Sequence, residues 1–292
     1  MPVLLGLGLL TKVHFLTAAP VVIARLRRRW WVAALGAAAI AGWWYVRNVA
    51  TTGTLSGLSE SVMLRDTGLV GMAKKIPSVP WRTAVDAILF SHLYFGGWSS
   101  LTVRSWMYHV FYAVAIAAAV GLIWQLRRRP ILWLLAIYAA FWAGQLYNVL
   151  LLYLSKGLPA SMGWYMYAVV AAEVVLCVAA FGRFSRWAAA GGAALFGLFD
   201  LYTVHFVAIP YYTGMIRHKA NGALAALHAA DFRAVGFGGG FERLTANKGS
   251  LISQHVMLAL WVLYLAATIG LMVHSARSAS NGSARAARRD GK

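Results

Sequence analysis

Residues 107–126, MYHVFYAVAIAAAVGLIWQL, are followed by Arg127-Arg128-Arg129-Pro130 and then by residues 131–154, ILWLLAIYAAFWAGQLYNVLLLYL. Neither apolar run contains an Asp, Glu, Lys or Arg. A segment needs about 20 apolar residues to cross a hydrocarbon core about 30 Å thick. Lipid offers no hydrogen-bond partners, so a crossing segment closes its backbone bonds internally as a helix or laterally in a barrel. Nothing in the two runs alternates with the period of a barrel strand. They read as two membrane helices, with the arginines marking a turn on the cytoplasmic side.

Five further apolar runs, at residues 3–24, 30–46, 163–181, 187–209 and 251–273, bring the expected number of crossings to seven. The composition agrees: 61% of the residues are hydrophobic and 12% charged, against about 45–50% and about 25% in soluble domains. The predicted class is an all-α, polytopic membrane protein with one transmembrane domain over residues 1–273 and a basic, disordered cytoplasmic tail over 274–292. Cations cluster in alternate connections: Arg25 and Arg27 to Arg29, Arg127 to Arg129, Arg183 and Arg186, and Arg277, Arg285, Arg288, Arg289 and Lys292. The short connection opposite, residues 155–162, carries only Lys156. Seven crossings with the C-terminus inside place the N-terminus outside. The opening Met1-Pro2 lacks the basic stretch of a signal peptide, and Lys12 interrupts the apolar run, so a chain missing earlier helices is expected rather than a cleaved leader.

Two long outer segments, 47–106 and 210–250, hold the available chemistry, since long connections are commonly functional. Ser78-Val79-Pro80 signals a helix start, and Trp81, Val85, Ile88, Leu89 and Leu93 follow at helical spacing, as in a short interfacial helix. Arg82 and Asp86 are spaced for a weak i,i+4 pair. Residues 219–234 suit another short helix, and Gly236-Phe237-Gly238-Gly239-Gly240 reads as a flexible turn because it lacks the flanking strand and Lys-Ser/Thr of a phosphate loop.

Lys12, Glu173 and Asp200 are intramembrane charges at similar depth. They suit either an ion pair that locks the first helix against the fifth or sixth, or the lining of a substrate or proton cavity. The eight histidines form no ligand-spaced pair, and the single Cys177 offers no disulfide or thiol cluster. No metal site and no cofactor are evident, and a divalent metal stays open. Catalytic residues are not assigned. Arg47 and Arg104 bracket the first outer segment, where guanidinium groups can bind a phosphate in paired hydrogen bonds. Trp43, Trp44, Trp98, Trp106, Trp164, Tyr165 and Tyr167 form an aromatic belt or a sugar platform. Asn48 either orients a sugar hydroxyl or caps the helix end.

Leu9-Leu10-Thr11-Lys12, Trp43-Trp44-Tyr45-Val46-Arg47-Asn48 with Gly53, Phe95-Gly96-Gly97-Trp98 and Gly163-Trp164-Tyr165-Met166-Tyr167 occur in this order. That succession resembles the C-terminal part of GT-C superfamily membrane glycosyltransferases, including the protein mannosyltransferase and aminoarabinose transferase relatives. The resemblance spans most of the chain through short motifs. It implies transfer of a sugar from a polyprenyl-phosphate donor to an envelope glycan or lipid, at the outer face of the inner membrane. In the family, basic and aromatic residues of the later loops contribute to the site; the substrate-binding candidates read from the outer face of this chain are Arg47, Asn48, Arg104, Lys156, Tyr165 and Tyr167. Relatives commonly have Gly-Arg-Tyr where this chain has Gly163-Trp164-Tyr165, which removes a cation. The acidic catalytic residue of their first outer loop has no counterpart here, so a separate N-terminal helical subunit is an expected partner beside membrane lipids. The alternative class is a non-catalytic membrane subunit or carrier for an anionic substrate. The formal charge of +19 then divides into topological anchors inside and anion-binding candidates outside, with no nucleic acid required.

Overall fold

The computed structural model describes residues 2–11, 13–94, 101–220, 224–247 and 253–290, apart from the side chains of 27, 237, 245, 247 and 281–290. Lys12 and the Phe95-Gly96-Gly97-Trp98 motif therefore lie outside the described residues. In chain order the helices are α1 (Pro2–Thr11), α2 (Phe15–Arg25), α3 (Trp30–Thr52), α4 (Ser59–Met63), α5 (Gly68–Lys75), α6 (Trp81–His92), α7 (Ser105–Ile123) and α8 (Arg129–Lys156). A 3-10 segment, Gly163–Val169, leads into α9 (Val170–Phe184). Then come α10 (Arg186–Thr203), a π-helical turn over Val204–Ala208, α11 (Ile209–Tyr212), α12 (Ala229–Asn247) and α13 (Gln254–Asp290). The described residues contain no strand; His218 and Leu224 form an isolated antiparallel bridge.

Five helical stretches are long and apolar enough to cross a membrane: Ser105–Ile123, Arg129–Lys156, Gly163–Phe184, Arg186–Tyr212 and Gln254–Ser280. These define a helical membrane protein. By contacts the chain forms two compact units, one of residues 1–95 and 122–177, the other of 96–121 and 178–292.

The apolar run at residues 3–24 is not one membrane-length helix. It folds as α1 and α2, which turn between Thr11 and Phe15. Phe15 returns onto Gly8, where a Cβ would stand 2.8 Å from its ring, and Leu5 packs with Ala19 and Val22. These pairings run in opposite directions along the chain, so α1 and α2 form an antiparallel hairpin. The Thr11 hydroxyl donates to Gly8 O at 2.9 Å and the Thr17 hydroxyl to His14 O at 2.8 Å, local bonds that support the backbone where the helix stops.

Glycines let the hairpin approach α3. A Cβ on Gly36 would meet Pro2 Cβ at 2.6 Å and one on Gly6 would meet Ile40 Cβ at 2.7 Å, while the Tyr45 hydroxyl donates to Leu9 O at 2.7 Å. Small residues allow this close approach, which lipid cannot drive by hydrophobicity. The numbers rise together, so α1 and α3 are parallel. On its other side α2 runs antiparallel to α8: Arg25 lies over Trp133 at 5.7 Å, Phe15 meets Phe141 edge-on at 5.0 Å, and Thr17 abuts Gly144. The hairpin thus starts and ends beside the arginine-rich ends of α3 and α8, and its turn lies level with Gly144, about 22 Å along α8 at about 1.5 Å per residue.

The connection after α8 also departs from a simple outer loop. Gly157 caps α8 in the left-handed conformation (φ 69°), and the chain then runs back along the helix. Leu158 N donates to Leu152 O, Asn148 Nδ2 to Ser161 Oγ at 2.9 Å, and Gln145 Nε2 to Met162 O at 3.1 Å, while Ser161 Oγ donates to Gln145 Oε1 at 2.7 Å. Irregular backbone at membrane depth persists only where protein satisfies it. Gln145, wholly buried, supplies that satisfaction.

Elsewhere α6 forms over Trp81–His92 with Ala84, Ile88 and Ser91 buried, as its spacing predicts, although Arg82 and Asp86 do not close to ion-pair distance. The glycine run at 236–240 is not a loose turn. It lies inside α12, where Gly236 alone leaves helical geometry (φ 69°, ψ 171°) and kinks the helix, a conformation open to glycine because it has no Cβ. The backbone of α13 stays helical through the basic stretch to Asp290.

Candidate functional site

In the first unit a cleft of about 340 Å³ opens between the hairpin turn and the segment that follows α3. Its floor comes from His14 and Thr17 of the hairpin and from Gly144, Tyr147, Asn148 and Leu151 of α8. Its roof is residues 53–56 and Leu58 with Ser61, Leu64 and Arg65, and Leu69 and Met72 of α5 close one side. Hydroxyl, amide and guanidinium groups therefore share the lining with a patch of leucines.

The roof is built by the sequence that ends α3. Gly53 takes a left-handed φ of 71° and its N–H bonds Val49 O, which stops the helix. Buried Asn48 then reaches forward, donating from Nδ2 to Leu55 O at 3.3 Å. Gly57 (φ 65°) lies on that amide so closely that a Cβ would stand 2.8 Å from Asn48 Cγ. Ser56 Oγ donates to Ser61 Oγ at 2.7 Å, tying the roof to α4. Lys156 at the end of α8 pairs with Glu60, and its hydrogen bond holds the Glu60 carboxyl below the usual carboxylate range.

Arg65 crosses this turn, its Cδ within 2.9 Å of where a Gly53 Cβ would be. Its Nε reaches Asp66 Oδ1 at 3.4 Å, with the two side chains 56% and 92% exposed. Such an exposed contact contributes little. Nη1 and Nη2 make no hydrogen bond to the described residues, so both remain for an anion in the cleft.

The residues expected to bind substrate part company here. Arg47 is exposed and stacks over Trp44 at 5.3 Å, outside the cleft lining. Asn48 neither faces the cleft nor caps its own helix end; it holds the roof. Lys156 is a tether for α4. Tyr165 stacks on His14 at 5.0 Å and so supports the floor. Tyr167 donates its one hydroxyl proton between His92 O (2.8 Å) and Tyr94 O (2.7 Å), which fixes the end of α6. Arg104 belongs to the second unit, where Nη1 donates to Leu224 O at 3.1 Å and secures the loop bridged at His218. Spacing alone does not single out Arg65; the Gly/Ser/Thr-rich run from Thr51 to Ser61 just before it is the signal that distinguishes it.

The intramembrane charges have partners that spacing did not reveal. His92 Nε2 lies 3.2 and 3.3 Å from the two carboxylate oxygens of Glu173, and Nδ1 lies 3.2 Å from Gly163 O. Both ring nitrogens thus face acceptors, which favours the doubly protonated ring. Burial pulls the His92 pKa down most strongly, but the Glu173 hydrogen bond and charge with the Gly163 carbonyl outweigh it, and the net shift is upward. A raised folded-state pKa contributes stability that is complete below the unfolded value of about 6.5 and is lost as pH rises through the folded value. Thermal unfolding of the detergent-solubilised protein should therefore show a melting temperature that falls as pH rises from about 6.5; Glu173→Gln should flatten that slope, and an unchanged slope would assign it to another group.

In the second unit Asp200 accepts from the Tyr264 hydroxyl at 2.6 Å. Trp261 Nε1 donates to His205 Nε2 at 2.9 Å, which leaves the His205 proton on Nδ1, bonded to Leu201 O at 2.7 Å. His205 lies in a π-helical turn. No protein family, curated protein or solved structure matches this chain.

Proposed function

We propose that the protein binds an anionic lipid-linked substrate, a polyprenyl-phosphate sugar, in the first-unit cleft at the outer side of the inner membrane, as a module resembling the C-terminal part of GT-C glycosyltransferases. The observation that carries this reading is the pairing of Arg65, with two uncommitted nitrogens, and an amphipathic lining. The guanidinium suits a phosphate, Ser56, Ser61 and Asn148 suit sugar hydroxyls, and Leu55, Leu58, Leu64, Leu69 and Met72 suit the first isoprene units. Among the described residues the lining holds no carboxylate. The chemistry supported at this cleft is binding and orientation, and transfer calls for a general base, worth about 10²–10⁴-fold in rate.

A second reading, a carrier for the same class of substrate, is favoured by the interrupted hairpin at the cleft floor, since broken helices that line a midplane site are a feature of transporters. Both readings fit a topology of six crossings, α3 and the five longer stretches, with the α1–α2 hairpin re-entrant from the side of Arg25 and Arg29. The cytoplasmic arginine clusters stay together in this arrangement and the C-terminus remains inside.

The test is binding of a fluorescent short-chain polyprenyl phosphate to the protein in nanodiscs. Arg65→Ala should weaken binding about 10- to 100-fold, the loss of a charge-assisted hydrogen-bond pair worth about 1.5–3 kcal/mol, while Arg47→Ala should change it less than about twofold. Equal affinity of wild type and Arg65→Ala would remove the proposal. Release of sugar to an acceptor, or movement of the lipid across the bilayer, separates the two readings.

A further inference from the structure

The second unit carries a carboxylate where a membrane protein can least accommodate one. Asp200 is 14 residues from Arg186 and 12 from Tyr212, the limits of its membrane-length stretch, which puts it about 20 Å from either end at about 1.5 Å per residue. It is exposed on α10. A charge at that depth is costly unless it pairs or meets water.

Its partners within the unit are too few. Tyr264 supplies one hydrogen bond, to Oδ2, and Oδ1 makes none to the described residues. His205, one turn further on, turns both ring nitrogens to other partners, Nε2 to Trp261 and Nδ1 to Leu201 O. The helices α10 and α13 run antiparallel here, with Gly197 against Met272 and Thr268, Asp200 against Tyr264, and His205 against Trp261. No residue of the most apolar stretch of α13 is buried. Leu260, Tyr264, Ala267 and Leu271, at i, i+4, i+7 and i+11, share one face of α13, and Leu260 and Leu271 are 51% and 61% exposed. One turn before Asp200, Phe196 is 40% exposed. The result is an open apolar strip with a single negative charge at its middle.

We propose that this α10/α13 face receives a transmembrane helix of a partner protein that carries a lysine or arginine at mid-depth and pairs it with Asp200. Charge complementarity selects the occupant: plain lipid leaves the carboxylate without a counter-ion, and a second copy docked symmetrically through the same strip brings two carboxylates together. The inference concerns a different unit from the cleft and does not depend on the substrate bound there.

The experiment uses the full chain reconstituted in phosphatidylethanolamine/phosphatidylglycerol vesicles, with energy transfer to Leu-rich membrane-spanning peptides that have either one central lysine or leucine throughout. The lysine peptide should associate about tenfold more tightly than the leucine peptide, in the range of polar interhelical contacts in membranes. Asp200→Asn keeps an acceptor for Tyr264 and should equalise the two peptides. Tyr264→Phe removes the internal donor and should preserve or increase the lysine preference, which separates loss of pairing from loss of fold. Equal association of both peptides with the wild type, a lysine preference that survives Asp200→Asn, or Asp200-dependent energy transfer between copies of the chain would overturn the proposal.

Discussion

Gly163→Ala should destabilise the first unit by about 3 kcal/mol, at the upper end of ordinary overpacking. A Cβ at Gly163 would stand 1.9 Å from Ile88 O and 2.5 Å from His92 N. Both are main-chain atoms of α6, so no rotamer change relieves the overlap, and either α6 or the 3-10 segment must move. Ser91 Oγ accepts from Gly163 N at 2.6 Å and His92 Nδ1 faces Gly163 O, so that movement also breaks the contacts that orient His92 toward Glu173. Gly157→Ala is the control. Its backbone is left-handed (φ 69°), unlike that of Gly163, and nothing lies within 4 Å of the added atom, so it should lose only the conformational cost of about 1–2 kcal/mol. Thermal unfolding in detergent measures both, and equal losses would show that the close approach at Gly163 is not what holds the segment.

Gln145→Leu should have a comparable effect for an electrostatic reason, about 3 kcal/mol from two buried groups that lose partners at about 1–3 kcal/mol each. The Ser161 hydroxyl, which is buried, loses its acceptor and Met162 O its donor, in a stretch that runs back along α8. Hydrogen exchange across residues 157–162 should accelerate, because their protection depends on the helix they lie against. Exchange unchanged in the variant would mean that the Asn148 contact suffices. Leucine matches glutamine closely enough in volume that a packing account alone predicts little loss.

How much was legible follows from the range of each interaction. The helices of residues 107–154 read directly from composition, because an uninterrupted apolar run between charged ends has few solutions in lipid. The same rule misread residues 3–24. The apolar run is long enough to cross, but Gly8 lets Phe15 fold back, and the close contacts of Gly6 with Ile40 and of Gly36 with Pro2 depend on residues more than thirty positions away. A hydropathy pattern counts length and cannot see a turn stabilised by a third helix. The glycines at 236–240 misled in the other direction, since glycine permits a helix as well as a turn.

The candidate site shows the same division. Trp43 to Asn48 lie at the end of α3, but the expected cation, Arg47, stacks on Trp44 outside the cleft lining, while Arg65 lies over Gly53 in it. Lys156 and Arg104 are spent on Glu60 and on Leu224 O. Glu173 and Asp200 stood out from the first as intramembrane charges, yet their partners, His92 and Tyr264, come from other helices and no spacing rule pairs them.

The sequence by itself determined that this chain is helical, that it belongs to a membrane, and which residues carry charge where charge is expensive, because those conclusions rest on transfer between water and lipid and on backbone hydrogen bonding, which are local in the chain. Only the tertiary structure decided that the first apolar run is a hairpin, that residues 157–162 double back on α8, and that Arg65 is the cation lining the cleft. Each of those depends on contacts between segments far apart in sequence, where a single glycine or glutamine sets how closely two backbones can approach.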